Sequence, residues 1–212
     1  MSKKLYFLLI VGALLLILVG VAGFLFWQKL KPTPIEDFDT AKISPRTNFE
    51  VREEASRKVV ENKKDGLKFS VPKDWVLKED VLNETLDFMI YSPDAEVGER
   101  KLIIKKGCKV SALIAQIRTD IDKFELYSKK KELKGSLNNK YERVYIGENK
   151  NYQGINNYFD LPEINMFVSV VDIPFGSRLY EINLNAAMQD KERCVNEFEE
   201  ILKTISIKKK LF

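Results

Sequence analysis

Three patterns of apolar and polar positions follow one another along the chain. Leu5 to Trp27 is an uncharged, almost wholly apolar run. As a helix it would reach roughly 34 Å at about 1.5 Å per residue, slightly more than a bilayer's hydrocarbon core of about 30 Å. Residues 28–64 are mostly polar and carry Pro32, Pro34 and Pro45, which reads as a linker. From Asp65 the period becomes two: Leu67, Phe69 and Val71 alternate with Lys68 and Ser70 before Pro72 stops the run.

The apolar run predicts a transmembrane signal anchor over residues 5–27. Tyr6, Phe7, Phe26 and Trp27 stand where aromatic belts meet the headgroups. A cleavable signal peptide is the rival, with Lys3 and Lys4 as a basic start and Gly20-Val21-Ala22 as a small-residue cleavage site. The run continues through Phe24-Leu25-Phe26-Trp27, where a polar region is due, and this favours retention. Lys3 and Lys4 bias residues 1–4 toward the cytoplasm, which places the long C-terminal part outside it. Within the linker, Thr47 and Glu50 match a capping box and Val51, Ala55 and Val59 recur every four residues, predicting a short stalk helix over 48–62.

Residues 65–207 read as one domain followed by a basic tail, 208–212. Further strands are predicted over 85–91, 100–105, 141–147, 152–159, 165–173 and 179–185. An amphipathic helix is predicted over 111–124, on the stripe Leu113, Ile114, Ile117, Ile121 and Phe124. A second, over 190–203, carries Cys194, Val195, Phe198, Ile201 and Leu202. Strands with one apolar face and helices with one apolar stripe imply an α+β fold with a central antiparallel sheet, arranged as an α/β/α sandwich.

Composition narrows the chemistry. The chain has no histidine, and 35 Lys+Arg stand against 31 Asp+Glu. Catalytic triads, His-ligated metals and imidazole switches are thereby excluded. A net charge of +4 with interspersed signs argues against nucleic acid as a partner. Ser70-Val71-Pro72-Lys73 spells S-x-x-K, but that chemistry needs a helix start, whereas the alternation and Pro72 predict a strand. Catalytic, cofactor-binding and metal residues are accordingly assigned to none.

Cys108 and Cys194 form a disulfide candidate for an exported domain; two separate structural thiols are the alternative, and a reactive or redox use, which no C-x-x-C supports, is the third reading. Tyr141, Arg143 and Tyr145 share one face of a predicted strand and form a candidate binding patch, set against turn-forming asparagines as the plainer reading of that stretch. The Lys clusters, including Lys208 to Lys210, read as solvated surface or as attraction to anionic lipids or wall polymers.

Gly66-Leu67-Lys68-Phe69-Ser70-Val71-Pro72-Lys73-Asp74-Trp75 resembles the opening of PsbP-like domains, named after an extrinsic photosystem II protein. Phe198-Glu199-Glu200-Ile201-Leu202-Lys203-Thr204-Ile205-Ser206-Ile207 resembles their final helix and short closing strand. The resemblance implies a central antiparallel sheet between helices, shared with a nuclear import factor that binds the small GTPase Ran. It also implies binding or assembly rather than catalysis. Metal binding attributed to photosynthetic members uses histidines, which this chain lacks. The resulting expectation is a membrane-anchored, extracytoplasmic, noncatalytic binding or scaffolding module. Its partners would be the bilayer and a protein or cell-envelope polymer, without a cofactor. An anchored cell-envelope hydrolase with a His-independent mechanism is the alternative.

Overall fold

The computed structural model describes residues 16, 19–24, 27, 41–77, 87–98, 103–133 and 140–208. The chain divides into two units, 1–33 and 34–212. In the first, Leu16, residues 19–24 and Trp27 are helical, and the rest of the predicted anchor, with residues 1–4, lies outside the described residues. Among the described residues no helix is long and apolar enough to cross a membrane.

The second unit runs β1 (Lys42–Ile43), β2 (Phe49–Glu53), β3 (Arg57–Asn62), β4 (Leu67–Pro72), β5 (Phe88–Tyr91), β6 (Glu96–Val97), β7 (Ile104–Lys106), β8 (Cys108–Gln116), α1 (Ile121–Leu133), β9 (Lys140–Ile146), β10 (Tyr152–Leu161), β11 (Met166–Phe175), β12 (Arg178–Ala187), α2 (Lys191–Lys203) and β13 (Ser206–Ile207). The central sheet has the order β1-β8-β12-β11-β10-β9, with β5 also paired to β8. A second sheet has the order β13-β4-β3-β2, and β6 pairs β7. Every pairing is antiparallel.

Alternation decides which layer covers which face. Tyr180, Ile182 and Leu184 of β12 point into the main core with Phe69 and Val71 of β4 and Cys194, Phe198 and Ile201 of α2. Leu179, one residue out of phase, packs on the other face with Ile155 and with Phe124 of α1. The central sheet therefore lies between α1 on one side and the second sheet with α2 on the other. The α+β class and antiparallel sheets are as expected, but the outer layer that a plain α/β/α sandwich would fill with helices is partly a sheet.

Two predicted helices are corrected. The stalk helix over 48–62 is a hairpin: Val51 pairs Val60, Phe49 pairs Asn62, and Asn62 in turn pairs Leu67 of β4. Helix-favouring Glu, Arg, Lys and Ala residues yield here to cross-strand burial, with Val60 fully buried in the main core. The linker boundary moves with it, because β1 and the hairpin belong to the folded unit.

The helix predicted over 111–124 begins inside β8, and only its last four residues, from Ile121, are helical. The strand β8 is interior to the sheet and buried on both faces: Cys108, Val110 and Ala112 alternate with Lys109 and Ser111, and only the run Ala112 to Ala115 that follows is apolar without alternation. The helix starts at Ile121 instead, where the Asp120 carboxylate accepts the Lys123 N–H at 2.9 Å and caps it.

Candidate functional site

Tyr141, Arg143 and Tyr145 lie on one face of the edge strand β9, paired to Asn157, Ile155 and Gln153 of β10. That face is the one α1 covers. Tyr141 packs against the cluster of Ile117, Phe124, Ile155 and Leu179. Arg143 donates to Asp122 at 2.8 Å and also to Glu125, both on α1. Hydrogen bonds from the guanidinium to Glu125 and Asp122 raise the Arg143 pKa above its ordinary value. Tyr145 remains 57% exposed, and Leu126 of α1 55% exposed. The candidate patch thus divides: two of its members dock α1 onto the sheet, and Tyr145 faces solvent.

Cys108 and Cys194 are joined by a disulfide, with Cα atoms 5.9 Å apart and a sequence separation of 86. Both are fully buried. The bond ties the first residue of β8 to the first turn of α2, and a net of polar contacts surrounds it. The Cys108 N–H donates to Ser92 Oγ at 2.9 Å, and Ser92 Oγ donates to Asp94 at 2.8 Å. The Gly107 N–H donates to Asp190 at 2.8 Å, and Arg193 bridges to Asp94 at 2.9 Å. Gly107 has φ +70°, and a Cβ there would stand 2.5 Å from Ser92 Oγ, so this turn admits only glycine without rearrangement.

The S-x-x-K residues do not meet as a catalytic pair. Ser70 sits within β4, where its N–H donates to Thr204 Oγ1 at 2.8 Å, while Lys73 Nζ donates to the Ala55 carbonyl at 3.3 Å. A cavity of about 280 Å³ adjoins Ser70, and Arg57, Glu197 and Glu200 supply its charges. Among the described residues no group of three His, Cys, Asp or Glu side chains is placed to hold a metal.

One feature escaped sequence reasoning: a polar strip across the α1 side of the central sheet. The register puts Lys109 and Ser111 of β8 directly beside Asn185 and Asn183 of β12, and Glu181 beside Asp172 of β11. Lys109, Ser111 and Asp172 are each at most 5% exposed. Asn183 donates to Glu181 at 2.8 Å and Asn157 to Asp172 at 3.4 Å. Burial pushes the Lys109 ammonium below the ordinary lysine value, against the pull of the Asp87 carboxylate. Burial pushes Asp87 up, against the pull of Lys109. The signal was present as polar residues inside β8 and β12, but it cannot be read until β8 is known to be a strand.

No family model matches the chain. No curated protein matches it either. Solved structures similar to it include a crystal structure from Bacteroides thetaiotaomicron VPI-5482, at 20% identity and TM-score 0.39, covering 68% of this chain; the chain spans 46% of that one. They include the solution structure of cyanobacterial PsbP (CyanoP) from Synechocystis sp. PCC 6803, at 13% identity and TM-score 0.44, covering 74% of this chain and 95% of that one. LpqN of Mycobacterium tuberculosis, described as involved in cell envelope biogenesis, is similar at 12% identity and TM-score 0.43, over 84% of this chain and 99% of that one. A PsbP protein, of the kind the sequence motifs resemble, is thus among the similar structures. These likenesses concern the fold and assign no function.

Proposed function

We propose that the protein is a membrane-anchored, extracytoplasmic, noncatalytic module of PsbP-like fold that binds or scaffolds a protein or cell-envelope polymer. The apolar run 5–27 holds it in the bilayer, and residues 41–207 form the working domain outside the cytoplasm. The observation that carries the reading is the buried Cys108–Cys194 disulfide, since structural disulfides belong to oxidising compartments. The placement of Ser70 inside a strand, with the Lys73 ammonium donating to the Ala55 carbonyl, favours binding over the alternative, an anchored hydrolase. Tyr145 is the exposed aromatic ring on which a partner would seat.

The test of location is the thiol state of the full chain, quenched in acid in its own cells, denatured and alkylated before and after reduction. Both cysteines are expected to react only after reduction, and thiols that react beforehand would overturn the extracytoplasmic reading. The test of binding is crosslinking of the anchored protein beside its Tyr145→Ala variant. A partner captured equally by both would remove Tyr145 from the site, and hydrolysis of an envelope polymer by the purified chain would replace the binding reading with the enzymatic one.

A further inference from the structure

Three features of the folded unit converge on the turn between β3 and β4. The first is the point where the chain enters the fold. The Ser44 hydroxyl donates to the Asp65 carboxylate at 2.5 Å and accepts from Asn62 Nδ2 at 3.3 Å, which fixes the incoming segment against residues 62–65. The second is the point where the chain leaves it. The Lys208 N–H donates to the Gly66 carbonyl at 2.9 Å, so Lys208, the last described residue, lies beside the same turn. Gly66 has φ +84°, and a Cβ there would lie 2.7 Å from the Lys208 carbonyl oxygen, so the close approach depends on glycine.

The third feature is a groove of about 620 Å³ on the outer face of the second sheet, lined by Arg52, Glu61, Lys63, Lys68 and Lys208 among others. Register explains its charge. Glu50, Arg52, Glu61 and Lys68 fall on the side of β2, β3 and β4 opposite to Val51, Val60 and Phe69, with Val59 and Ser70 beside them. Arg52 pairs with Glu61, Lys63 with Glu50 at 2.7 Å, and Lys208 approaches Glu61 at 3.8 Å. Lys64 and Lys68 add cations for which the described residues show no ion pair. Arg52, Lys63, Lys64, Lys68 and Lys208 therefore outnumber Glu50, Glu54 and Glu61.

We infer that this corner is the foot of the domain, docking on the anionic phosphodiester headgroups of the bilayer that holds the apolar run. The inference rests on the anchored reading and specifies what the domain does at the surface. Thirteen residues, 28–40, separate the run from Ala41. They can reach at most about 45 Å at roughly 3.5 Å per residue, so the headgroups are within reach of the entry corner. A basic surface confined to that distance gains from every lysine brought within a Debye length of an anionic leaflet. Docking by this corner would leave Lys191, at the far end of α2 from β13, directed away from the bilayer.

The test is lysine acetylation read by mass spectrometry on the full chain, mixed with vesicles of phosphatidylcholine alone or with one quarter phosphatidylglycerol, with flotation scored in parallel. Flotation on both compositions is expected. Acetylation of Lys63, Lys64, Lys68 and Lys208 should slow about fivefold only on the anionic vesicles, the effect of roughly one favourable lysine contact per site. Lys191 should be unchanged, and 0.5 M salt should abolish the difference, whereas millimolar inorganic phosphate should leave it intact. Reversal by phosphate at constant ionic strength would mean that the groove takes a free anion, and would overturn the lipid-surface assignment. In the Lys63→Gln, Lys64→Gln, Lys208→Gln variant, Lys68 should lose its protection.

Flotation on both compositions with equal acetylation would overturn the docking surface while leaving the anchor standing. Flotation on anionic vesicles alone, reversed by salt, would support the surface and overturn the anchor. Flotation on neither would overturn both.

Discussion

The β8–β12 ladder is closed differently at its two ends. Where Cys108 pairs Ala186, a covalent bond to Cys194 fastens α2 to the sheet. Where Ala115 pairs Leu179, the fastening is polar and centres on Asp65. Arg178 Nε donates to its carboxylate at 3.0 Å, the Ser44 hydroxyl at 2.5 Å, and the Tyr180 hydroxyl to its carbonyl at 2.8 Å. Both devices bind segments remote in sequence to the same two strands. The covalent one acts largely by restricting the unfolded chain and is indifferent to the geometry of its neighbours. The polar one acts only in the folded state and depends on every partner being present, because a buried charge left alone is costly.

Removing the covalent device should have the larger effect. Loss of a bridge of separation 86 costs about 4.5 kcal/mol on the loop-entropy account. Urea unfolding of the Cys108→Ala, Cys194→Ala variant should show a loss of that order, insensitive to added reductant, while the wild type falls to a similar stability only when reduced. A loss below about 1 kcal/mol would show that the polar net of Ser92, Asp94, Asp190 and Arg193 holds that end without the bond.

Asp65→Ala attacks the other end. It strands the Arg178 guanidinium, whose side chain is 16% exposed, and removes the acceptor of Ser44. A loss of about 3 kcal/mol is expected in the same unfolding measurement. The companion Asp65→Ala, Arg178→Met variant should recover part of it. If the double variant is as weak as the sum of the two single ones, the pair does not act as a unit and the contrast between the ends fails.

How much of this was legible in sequence follows from where burial is one-sided. β4, β9, β10, β11 and β12 each keep some alternation, and Tyr180, Ile182 and Leu184 against Glu181, Asn183 and Asn185 announce a half-buried strand directly. α2 was legible for the same reason at period 3.6, with Cys194, Phe198 and Ile201 buried. β8 was not, since the alternation of Cys108, Val110 and Ala112 with Lys109 and Ser111 gives way to the apolar run Ala112 to Ala115, which fits a helix stripe as well as a strand. The hairpin β2–β3 was hidden by local propensity that its pairing with β4 overrides. The shared face of Tyr141, Arg143 and Tyr145 could be read from parity alone. Its cover could not, because α1 begins ten residues later than the predicted helix. The Lys109 strip and the Asp65 hub depend on contacts between residues far apart in the chain, such as Asp65 with Arg178, which no local pattern encodes.

The Lys109 strip sharpens the comparison through pH. For a base whose folded pKa is depressed by burial, the cost of the buried charge is present at neutral pH. It is relieved as pH rises through the folded value toward the unfolded one of 10.5. Relative to Lys109→Met, the wild type should therefore gain stability between neutral pH and about 10.5. Asp87→Asn should lower the titration of Lys109 further, since the neighbouring negative charge opposes the burial effect. A double-mutant cycle should give a coupling of about 1 kcal/mol. A coupling of zero would mean that the two charges are screened from one another.

The smallest expected effect lies within the Asp65 hub and carries the opposite sign with pH. Tyr180→Phe keeps the packing of a ring only 2% exposed and removes one hydrogen bond, that of the hydroxyl to the Asp65 carbonyl. At pH 7 this should cost about 1 kcal/mol. Burial pushes the Tyr180 pKa up from 10.0 to about 12, so the folded chain retains a phenolic proton that the unfolded chain has already released. Between those two values the unfolded state binds fewer protons, and the wild type loses stability as pH rises. The phenylalanine variant has no such proton. The gap between the two proteins should therefore shrink from pH 10 toward 12, as read from urea midpoints at fixed ionic strength, and the variant can overtake the wild type at the upper end. A gap that stays constant across this range would mean that the Tyr180 hydroxyl reaches water in the folded state, and that the polar end of the ladder is looser than the disulfide end by more than the strength of its bonds.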